Sequence, residues 1–182
     1  MLAGTCYEYG AREARGGERD GCLDPLNAYA ASKVAAWAFG RVYWRARGLP
    51  VVTVRPFQVY GPGQPSRTLI PAAIGAALAG EDFPMTPGEQ ERDFVYVDDV
   101  VEGMLAAAAA PGIEGESLDL GTGVARPIRR VVERAWELAG GKGRVLPGAM
   151  PYRPGEGGGA IPSRIVADAD RTARMTGWRA RT

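Results

Sequence analysis

The residues of this sequence that could transfer a proton begin with Tyr29 and Lys33, which stand four positions apart in the segment YAASK. On an α-helix the side chains at i and i+4 lie one above the other, so this spacing would place an ammonium beside a phenol. A nearby cation stabilises a phenolate relative to a phenol, and such a tyrosine can take a proton from an alcohol at neutral pH. Two common residues at this spacing also occur on solvated helix faces, so the rest of the chain has to decide between the two interpretations.

Composition restricts the chemistry that is open to the chain. The 182 residues contain no histidine, which removes the usual base of Ser-His and Cys-His dyads and the commonest zinc ligand. Acyl-transfer hydrolases are therefore poor candidates, and we predict no metal site. Proton transfer is left to Tyr, Lys, Asp and Glu side chains.

Charge and hydropathy predict a soluble globular chain. The 22 basic and 21 acidic residues leave a net charge of +1, which favours neither nucleic acid nor an anionic membrane as a partner. No apolar run approaches a bilayer span, and the N-terminus has no basic stretch followed by a hydrophobic one, so we expect a cytoplasmic protein. In that compartment Cys6 and Cys22 are expected to be free thiols.

The helix that would carry Tyr29 and Lys33 has recognisable start and stop signals. Asp24 is predicted as its N-cap, with Pro25 in the first turn, and the helix should run to about Arg47 and end at Gly48. Its surface is rich in Ala with interspersed Trp and Tyr, which predicts packing on a sheet or at an interface rather than a cofactor site.

Strands and further helices alternate on both sides of this helix. Residues 1–10 are typical of the end of a buried strand that runs into a loop. A β-branched strand at 51–55 should end in a loop at 56–63, on the sheet edge where open α/β folds bind ligands. The remaining predicted elements are helices at 69–79, 98–111, 127–139 and 168–176 and strands at 92–97, 117–120 and 164–167.

Two polar features along this path have both a catalytic and a structural interpretation. Asp98 and Asp99 could form an acid/base pair, but we favour a helix cap and a first-turn anion stabilised by the helix dipole. The glycine turn at 121–123 lacks a full dinucleotide fingerprint, so we interpret it as a strand-to-helix turn rather than a phosphate cradle.

Four segments of the chain resemble, in this order, the nucleotide-sugar epimerase/dehydratase group of the extended short-chain dehydrogenases. They are 29–33 (YAASK), 55–64 (RPFQVYGPGQ), 92–100 (RDFVYVDDV) and 153–156 (RPGE). The likeness runs through essentially the whole chain, and four motifs in the right order are hard to produce by chance.

This resemblance implies an α/β fold that is the C-terminal part of a Rossmann-like doubly wound parallel sheet, with a small mixed substrate-binding subdomain. Residues 1–61 and 92–122 would belong to the cofactor-binding domain, and residues 62–91 and 123–182 to the substrate-binding subdomain. The long Tyr29 helix is where this family commonly pairs into a four-helix dimer interface, so a homodimer is expected for the full-length protein.

The resemblance also implies roles for individual residues around a bound NAD, with NADP left open. The nicotinamide would take a hydride from the sugar ring while Tyr29 removes the hydroxyl proton. Lys33 would favour the phenolate and bind the nicotinamide ribose. Thr5 matches the family's Ser or Thr that hydrogen-bonds the reacting hydroxyl, and Pro56 and Phe57 would lie near the nicotinamide.

The implied substrate is a nucleotide-diphosphate sugar. Arg92 and Arg153 match positions that grip the diphosphate, a role suited to the planar guanidinium. Gln58 stands where the family usually has Asn, and the extra methylene would change how the substrate is held.

Two departures from the family pattern restrict the reaction and the extent of the chain. Members that eliminate water carry an Asp-Glu pair after the Thr, whereas Cys6 and Tyr7 follow Thr5, which favours an epimerase or ketoreductase over a 4,6-dehydratase. The Gly-rich first turn of the fold is also missing, so on the order of 100 residues are expected before Met1, at about 30 per βαβ unit. The alternative is a catalytically inactive fragment or a scaffold that binds sugar nucleotides.

Overall fold

The computed structural model of the chain describes residues 1–10, 23–152 and 163–182. Within these ranges the chain alternates between short strands and helices, as the sequence predicts. The strands are β1 (Leu2–Ala3), β2 (Thr53–Pro56), β3 (Gln58–Tyr60), β4 (Phe83–Met85), β5 (Glu91–Tyr96), β6 (Ser117–Leu120), β7 (Ala125–Pro127), β8 (Val145–Pro147) and β9 (Arg164–Ile165). The helices are α1 (Ala28–Arg47), α2 (Leu69–Ala79), α3 (Val97–Ala109), α4 (Ile128–Leu138) and α5 (Ala169–Thr176), together with a 3-10 helix at Cys6–Tyr9.

The first sheet is parallel, with the strand order β1-β2-β6. Val54, Leu118 and Leu120 are fully buried in it, as expected of strands that are covered on both faces. Helix α1 packs against β1, and helix α3 packs against β2 and β6. The prediction of an α/β fold with a parallel sheet is confirmed.

The second sheet is mixed and begins where the sequence predicts a loop. In it β3 pairs with β5 in parallel, and β5 also pairs with β7 antiparallel and with β9 in parallel. The loop predicted at 56–63 is therefore wrong at Gln58–Tyr60, because the chain leaves the first sheet after Phe57 and pairs at once with Phe94–Tyr96. A third sheet joins β4 to β8 in parallel. The division of the chain into two domains stays a prediction.

Helix α1 begins at Ala28, so its cap lies three residues after Asp24, the predicted cap. Its N-cap is Asn27, whose side-chain oxygen accepts a hydrogen bond from Ala30 N at 2.8 Å. Asp24 lies upstream, where its backbone N donates to Glu8 O at 2.9 Å, so the segment before the helix is held by the 3-10 helix. The predicted end is confirmed, since Gly48 closes α1 with a left-handed φ of 65°.

The two ambiguous polar features have structural partners. Helix α3 is capped by Tyr96 without a side-chain cap bond, so the predicted carboxylate cap is wrong, although both carboxylates lie in the first turn. Buried Asp99 accepts hydrogen bonds from Arg181 N and Thr182 N at 3.1 and 3.0 Å. The turn at 121–123 leads first into β7 and only then into α4. Across the described ranges, every helix is too short or too polar to cross a bilayer.

Candidate active site

Thr5 lies just beyond the C-terminal end of β1, in a tight turn at 5–10. It is the N-cap of the 3-10 helix: its Oγ1 accepts from Tyr7 N at 3.5 Å, and its own backbone N donates to Glu8 Oε1 at 2.8 Å. Thr5 is buried, as is most of this turn. Parallel strands present their C-terminal ends at one sheet edge, so Thr5 lies at the edge reached also by the end of β2.

Tyr29 and Lys33 lie together on the first turns of α1, as their spacing predicts. Lys33 Nζ is 5.5 Å from the centroid of the Tyr29 ring. Tyr29 is 55% exposed, so a ligand can reach this residue. Ala30, the next residue, is fully buried and anchors this turn of the helix in the protein.

The turn at 5–10 and the start of α1 are joined through the backbone. Leu26 N donates to Tyr7 O at 3.1 Å, one turn before Tyr29, and Asp24 N donates to Glu8 O. Gly10 permits this close approach because it adopts a φ of 66°, and a Cβ there would lie 2.2 Å from Asp24 O. The segments that carry Thr5 and Tyr29 are thus held in a fixed relation.

Gln58 and Arg92 are both brought to this turn. Gln58 Nε2 donates to the Tyr7 hydroxyl at 2.8 Å. The Arg92 side chain is buried and its Nη1 donates to Glu91 O at 2.6 Å and Ser163 O at 3.4 Å. Burial lowers the pKa of the Arg92 guanidinium, and the neighbouring Tyr7 and Cys6 partly oppose this effect.

Cys6 and Phe57 form the apolar part of the same region. Both are buried and pack in one cluster with Tyr9, Ile165 and Ala167. Burial, and secondarily the charge of Asp119, raises the pKa of the Cys6 thiol to about 12. A thiol that keeps its proton at neutral pH is a poor acid/base group and a poor nucleophile.

Arg153 falls outside the described residues. A large cleft, of about 1370 Å³, opens between α2, α4 and the C-terminal residues. None of the predicted site residues that the structure describes lines it. We place the candidate active site at the turn at 5–10 and the start of α1, where Thr5, Tyr29 and Lys33 lie. Among the described residues, no three His, Cys, Asp or Glu side chains are grouped so that they could hold a metal ion.

Two buried polar groups next to the site were missed in the sequence. Glu8 and Arg55 form a fully buried ion pair, with 2.7 Å between Oε2 and Nε. Asp93, also fully buried, accepts hydrogen bonds from Thr122 N, Gly123 N and Ala167 N. Charged residues of opposite sign in segments that otherwise look buried are the signal that could have found the ion pair.

The family of the chain follows from its match to a family model. The model of the NAD dependent epimerase/dehydratase family matches residues 1–121. The chain belongs to this family. The resemblance seen in the four motifs is confirmed, and NAD is the cofactor of the family.

Curated members of the family are similar over most of this chain. A Bacillus subtilis protein called an uncharacterized UDP-glucose epimerase, YtcB, is 30% identical over 145 residues, which are 78% of this chain and 45% of that protein. A dTDP-glucose 4,6-dehydratase of Xanthomonas campestris pv. campestris is 33% identical over 148 residues, 81% of this chain and 39% of the enzyme. The chain therefore spans less than half the length of these two relatives.

Solved structures share the fold of this chain. MoeE5, solved with UDP-glucuronic acid and NAD, superposes with a TM-score of 0.82 at 31% identity over 99% of this chain and 58% of its own. Pal from Bacillus thuringiensis superposes with a TM-score of 0.84 at 24% identity, covering 99% of this chain and 56% of its own, which shows the fold alone. The predicted Rossmann-like α/β architecture is confirmed.

The described residues fit the nicotinamide end of an NAD molecule. An exposed phenol with an ammonium beside its ring, at the carboxyl edge of a parallel sheet, suits a ribose and a reacting carbon. The sequence contains no Gly-x-x-Gly-x-x-Gly turn that would hold the pyrophosphate.

Proposed function

We propose that the chain carries the proton-transfer site of an NAD-dependent nucleotide-sugar epimerase or ketoreductase. The observation that carries this choice is the environment of Glu8, the single carboxylate of the turn at 5–10. Both of its oxygens are engaged, one by Thr5 N and the other by Arg55, and the side chain is fully buried. Elimination of water needs an available acid and base, and Cys6 and Tyr7 do not supply the carboxylates that dehydratases use.

In this proposal each residue at the turn and on α1 has a distinct task. Thr5 Oγ1 hydrogen-bonds the reacting sugar hydroxyl, and Tyr29 removes its proton or returns one to a ketone. Lys33 stabilises the phenolate form of Tyr29 and binds the nicotinamide ribose. NAD, when bound, supplies the hydride acceptor, or in its reduced form the hydride donor. Pro56 ends β2 and Phe57 follows it at the sheet edge, and both shape the nicotinamide side of the site.

The proposed substrate is a nucleotide-diphosphate sugar. Support comes from MoeE5, a relative at 31% identity that was solved with UDP-glucuronic acid. Gln58, held by Tyr7, would contact the sugar, and Arg92, with Arg153, would bind the diphosphate. The Arg92 head group already lies beside two backbone carbonyls, which orient it within its buried position.

Product analysis tests the reaction class directly. The protein is incubated with NAD and UDP-glucose, UDP-glucuronic acid or dTDP-glucose, and separately with NADH and a 4-keto nucleotide sugar. An epimer of unchanged mass, or a ketone reduced with loss of NADH absorbance, is the expected result. A product lighter by one water would contradict the proposal, because it would require the acid/base pair that this turn lacks.

A homodimer is part of the proposal, and the surface of α1 supports it. Phe39, Val42 and Tyr43 on this helix are 68%, 60% and 54% exposed. Apolar side chains grouped on one helix face are typical of a protein–protein interface. Sedimentation of the protein with and without Phe39→Glu measures whether this face pairs.

A second candidate function is binding of sugar nucleotides without turnover. It is favoured by the absence of a Gly-rich pyrophosphate turn from these 182 residues. Calorimetry with UDP-glucose combined with product analysis separates the two candidates, since a scaffold binds the sugar nucleotide and yields no product with any cofactor.

A further inference from the structure

The carboxylate of Glu8 is the centre of a buried polar network behind the turn at 5–10. Its Oε1 accepts from Thr5 N at 2.8 Å, and its Oε2 accepts from Arg55 Nε at 2.7 Å. Both side chains are fully excluded from solvent. Neither oxygen is therefore available for exchange with a ligand, and the role of Glu8 has to be exerted through the residues that it holds.

The network ties the turn to the two strands that follow in the sheet. Arg55 of β2 donates from Nη1 to the Tyr9 hydroxyl at 3.1 Å, and Tyr9 donates to Asp119 Oδ1 of β6 at 2.5 Å. Arg55 and Asp119 are direct neighbours in the β2-β6 register. The position of the turn is thus set by the rigid part of the sheet rather than by the turn alone.

The Glu8 carboxylate packs so closely against Gly4 that no side chain fits at position 4 without a shift. A Cβ on Gly4 would lie 2.4 Å from Glu8 Oε1 and 3.0 Å from Arg55 Cγ. A buried ion pair is rarely more stable than apolar residues of the same volume, so stability alone does not account for this arrangement. Orientation of the groups bonded to the pair is the other role that such networks serve.

Thr5 is the group in this network that bears on the chemistry. Within the turn its Oγ1 caps the 3-10 helix, and its contact with Tyr7 N, at 3.5 Å, is long for a hydrogen bond. Its backbone is held firmly by Glu8. We infer that Glu8 is the positioning residue for Thr5: it fixes the Thr5 backbone so that Oγ1 meets the reacting hydroxyl. This inference rests on the proposed function, in which Thr5 binds that hydroxyl.

Two double variants separate orientation from stability. Glu8→Leu with Arg55→Met removes both buried charges and also the acceptor of Thr5 N, while apolar groups fill the space. Glu8→Gln with Arg55→Gln removes the same charges but keeps an amide oxygen at position 8 for Thr5 N. Both variants lose the ion pair, so only the tether to Thr5 differs between them.

Amide hydrogen exchange, followed residue by residue by NMR, is the first readout. In the Leu/Met variant the Thr5 amide should exchange at least about tenfold faster than in the Gln/Gln variant, since local opening follows the loss of its acceptor. The Gly4 amide, which donates to Val54 O at 2.8 Å, serves as the internal reference and should stay protected in both. Equal protection of Thr5 in the two variants would overturn the inference.

Turnover is the second readout. The Leu/Met variant should lose about 10²-fold in kcat with little change in KM, as expected for a misplaced group, and the Gln/Gln variant should recover at least a tenth of the parent kcat. If kcat is equal in the two double variants while Thr5→Val is impaired, the positioning role of Glu8 is overturned and the role of Thr5 stands. Normal turnover by Thr5→Val overturns the proposed role of Thr5 and this inference with it.

If the Leu/Met variant does not fold, Gly4→Ala applies the same test by steric means. Its added methyl displaces the Glu8 carboxylate while both charges remain. Faster exchange at Thr5 and a lower kcat are expected, and unchanged values of both would contradict the inference.

Discussion

At the scale of single residues, Tyr29 has a matched control on its own helix. Tyr43 also lies on α1 and is 54% exposed, against 55% for Tyr29, but only Tyr29 has a lysine over its ring. We expect Tyr29→Phe to lose about 10²-fold or more in kcat, because it removes the proton-transfer group and leaves the ring in place. Binding of the sugar nucleotide, measured by calorimetry, should remain.

The control variant decides how that loss is interpreted. Tyr43→Phe should keep the parent kcat, because its hydroxyl lies away from the candidate site. If both substitutions reduce kcat equally, the effect belongs to the helix surface, and Tyr29 has no special part in the chemistry.

Cys6 gives a prediction for stability against pH. Burial raises the pKa of its thiol from 9.0 to about 12, so between these values the unfolded chain releases a proton that the folded chain keeps. The contribution of Cys6 to stability is therefore full below pH 9 and is lost as the pH rises towards 12. By pH 10 the loss should be about 1 kcal/mol.

Urea unfolding at pH 8 and pH 10 measures this loss. The parent protein should lose more stability between the two pH values than Cys6→Ala does, while the contributions of all other groups cancel in the comparison. An identical loss in both proteins would show that the thiol titrates normally in the folded state.

At the scale of elements, α1 has two neighbouring candidates for its N-cap, Asn27 and Asp24, and their substitutions should differ in cost. Asn27→Ala should cost about 1 kcal/mol of unfolding free energy, because it removes the acceptor of Ala30 N. Asp24→Ala should cost clearly less, since its structural contact is made by the backbone. A larger cost at Asp24, measured by urea unfolding, would restore the cap expected from the sequence.

Local signals in the sequence were sufficient for most helices. Gly48, Gly80 and Gly177 each close a helix in the left-handed conformation, as expected of a glycine C-cap, and Asp168 caps α5 through its side chain. The strands β4 and β8 were not predicted, because each has three residues and is formed by pairing across about 60 positions of chain. Strand β3 also has only three residues and pairs with a strand that is distant in sequence, since Gln58 lies opposite Phe94.

In the candidate site, too, contacts between residues close in sequence could be predicted, and contacts between distant residues could not. The contact between Tyr29 and Lys33 is local, so the spacing alone predicts it. The contacts of Glu8 with Arg55 and of Gln58 with Tyr7 join residues about 50 positions apart. The periodicity of a sequence does not predict such a pair. Glu8 and Arg55 come together because β1 pairs with β2 in this register.

At the scale of the whole molecule, the site is assembled from segments that meet at one edge of the parallel sheet. Thr5 follows β1, Phe57 follows β2, and Tyr29 comes from the helix that covers β1. A cofactor placed there would touch the chain with its nicotinamide end. Its pyrophosphate would need the backbone donors of a Gly-rich turn at a helix N-terminus, which this sequence does not contain.

We therefore expect the 182-residue chain to bind NAD weakly, with less affinity than it has for a nucleotide sugar. The physical reason is that most of the cofactor's charge lies on the pyrophosphate, whereas the proposed contacts of Tyr29, Lys33 and Phe57 reach only its nicotinamide end. Titration calorimetry with NAD and with UDP-glucose on one preparation measures both affinities, and Lys33→Met shows whether the residual NAD signal comes from this site. Tight binding of NAD by the 182-residue chain would contradict the expectation and would require a pyrophosphate site formed by residues other than a Gly-rich turn.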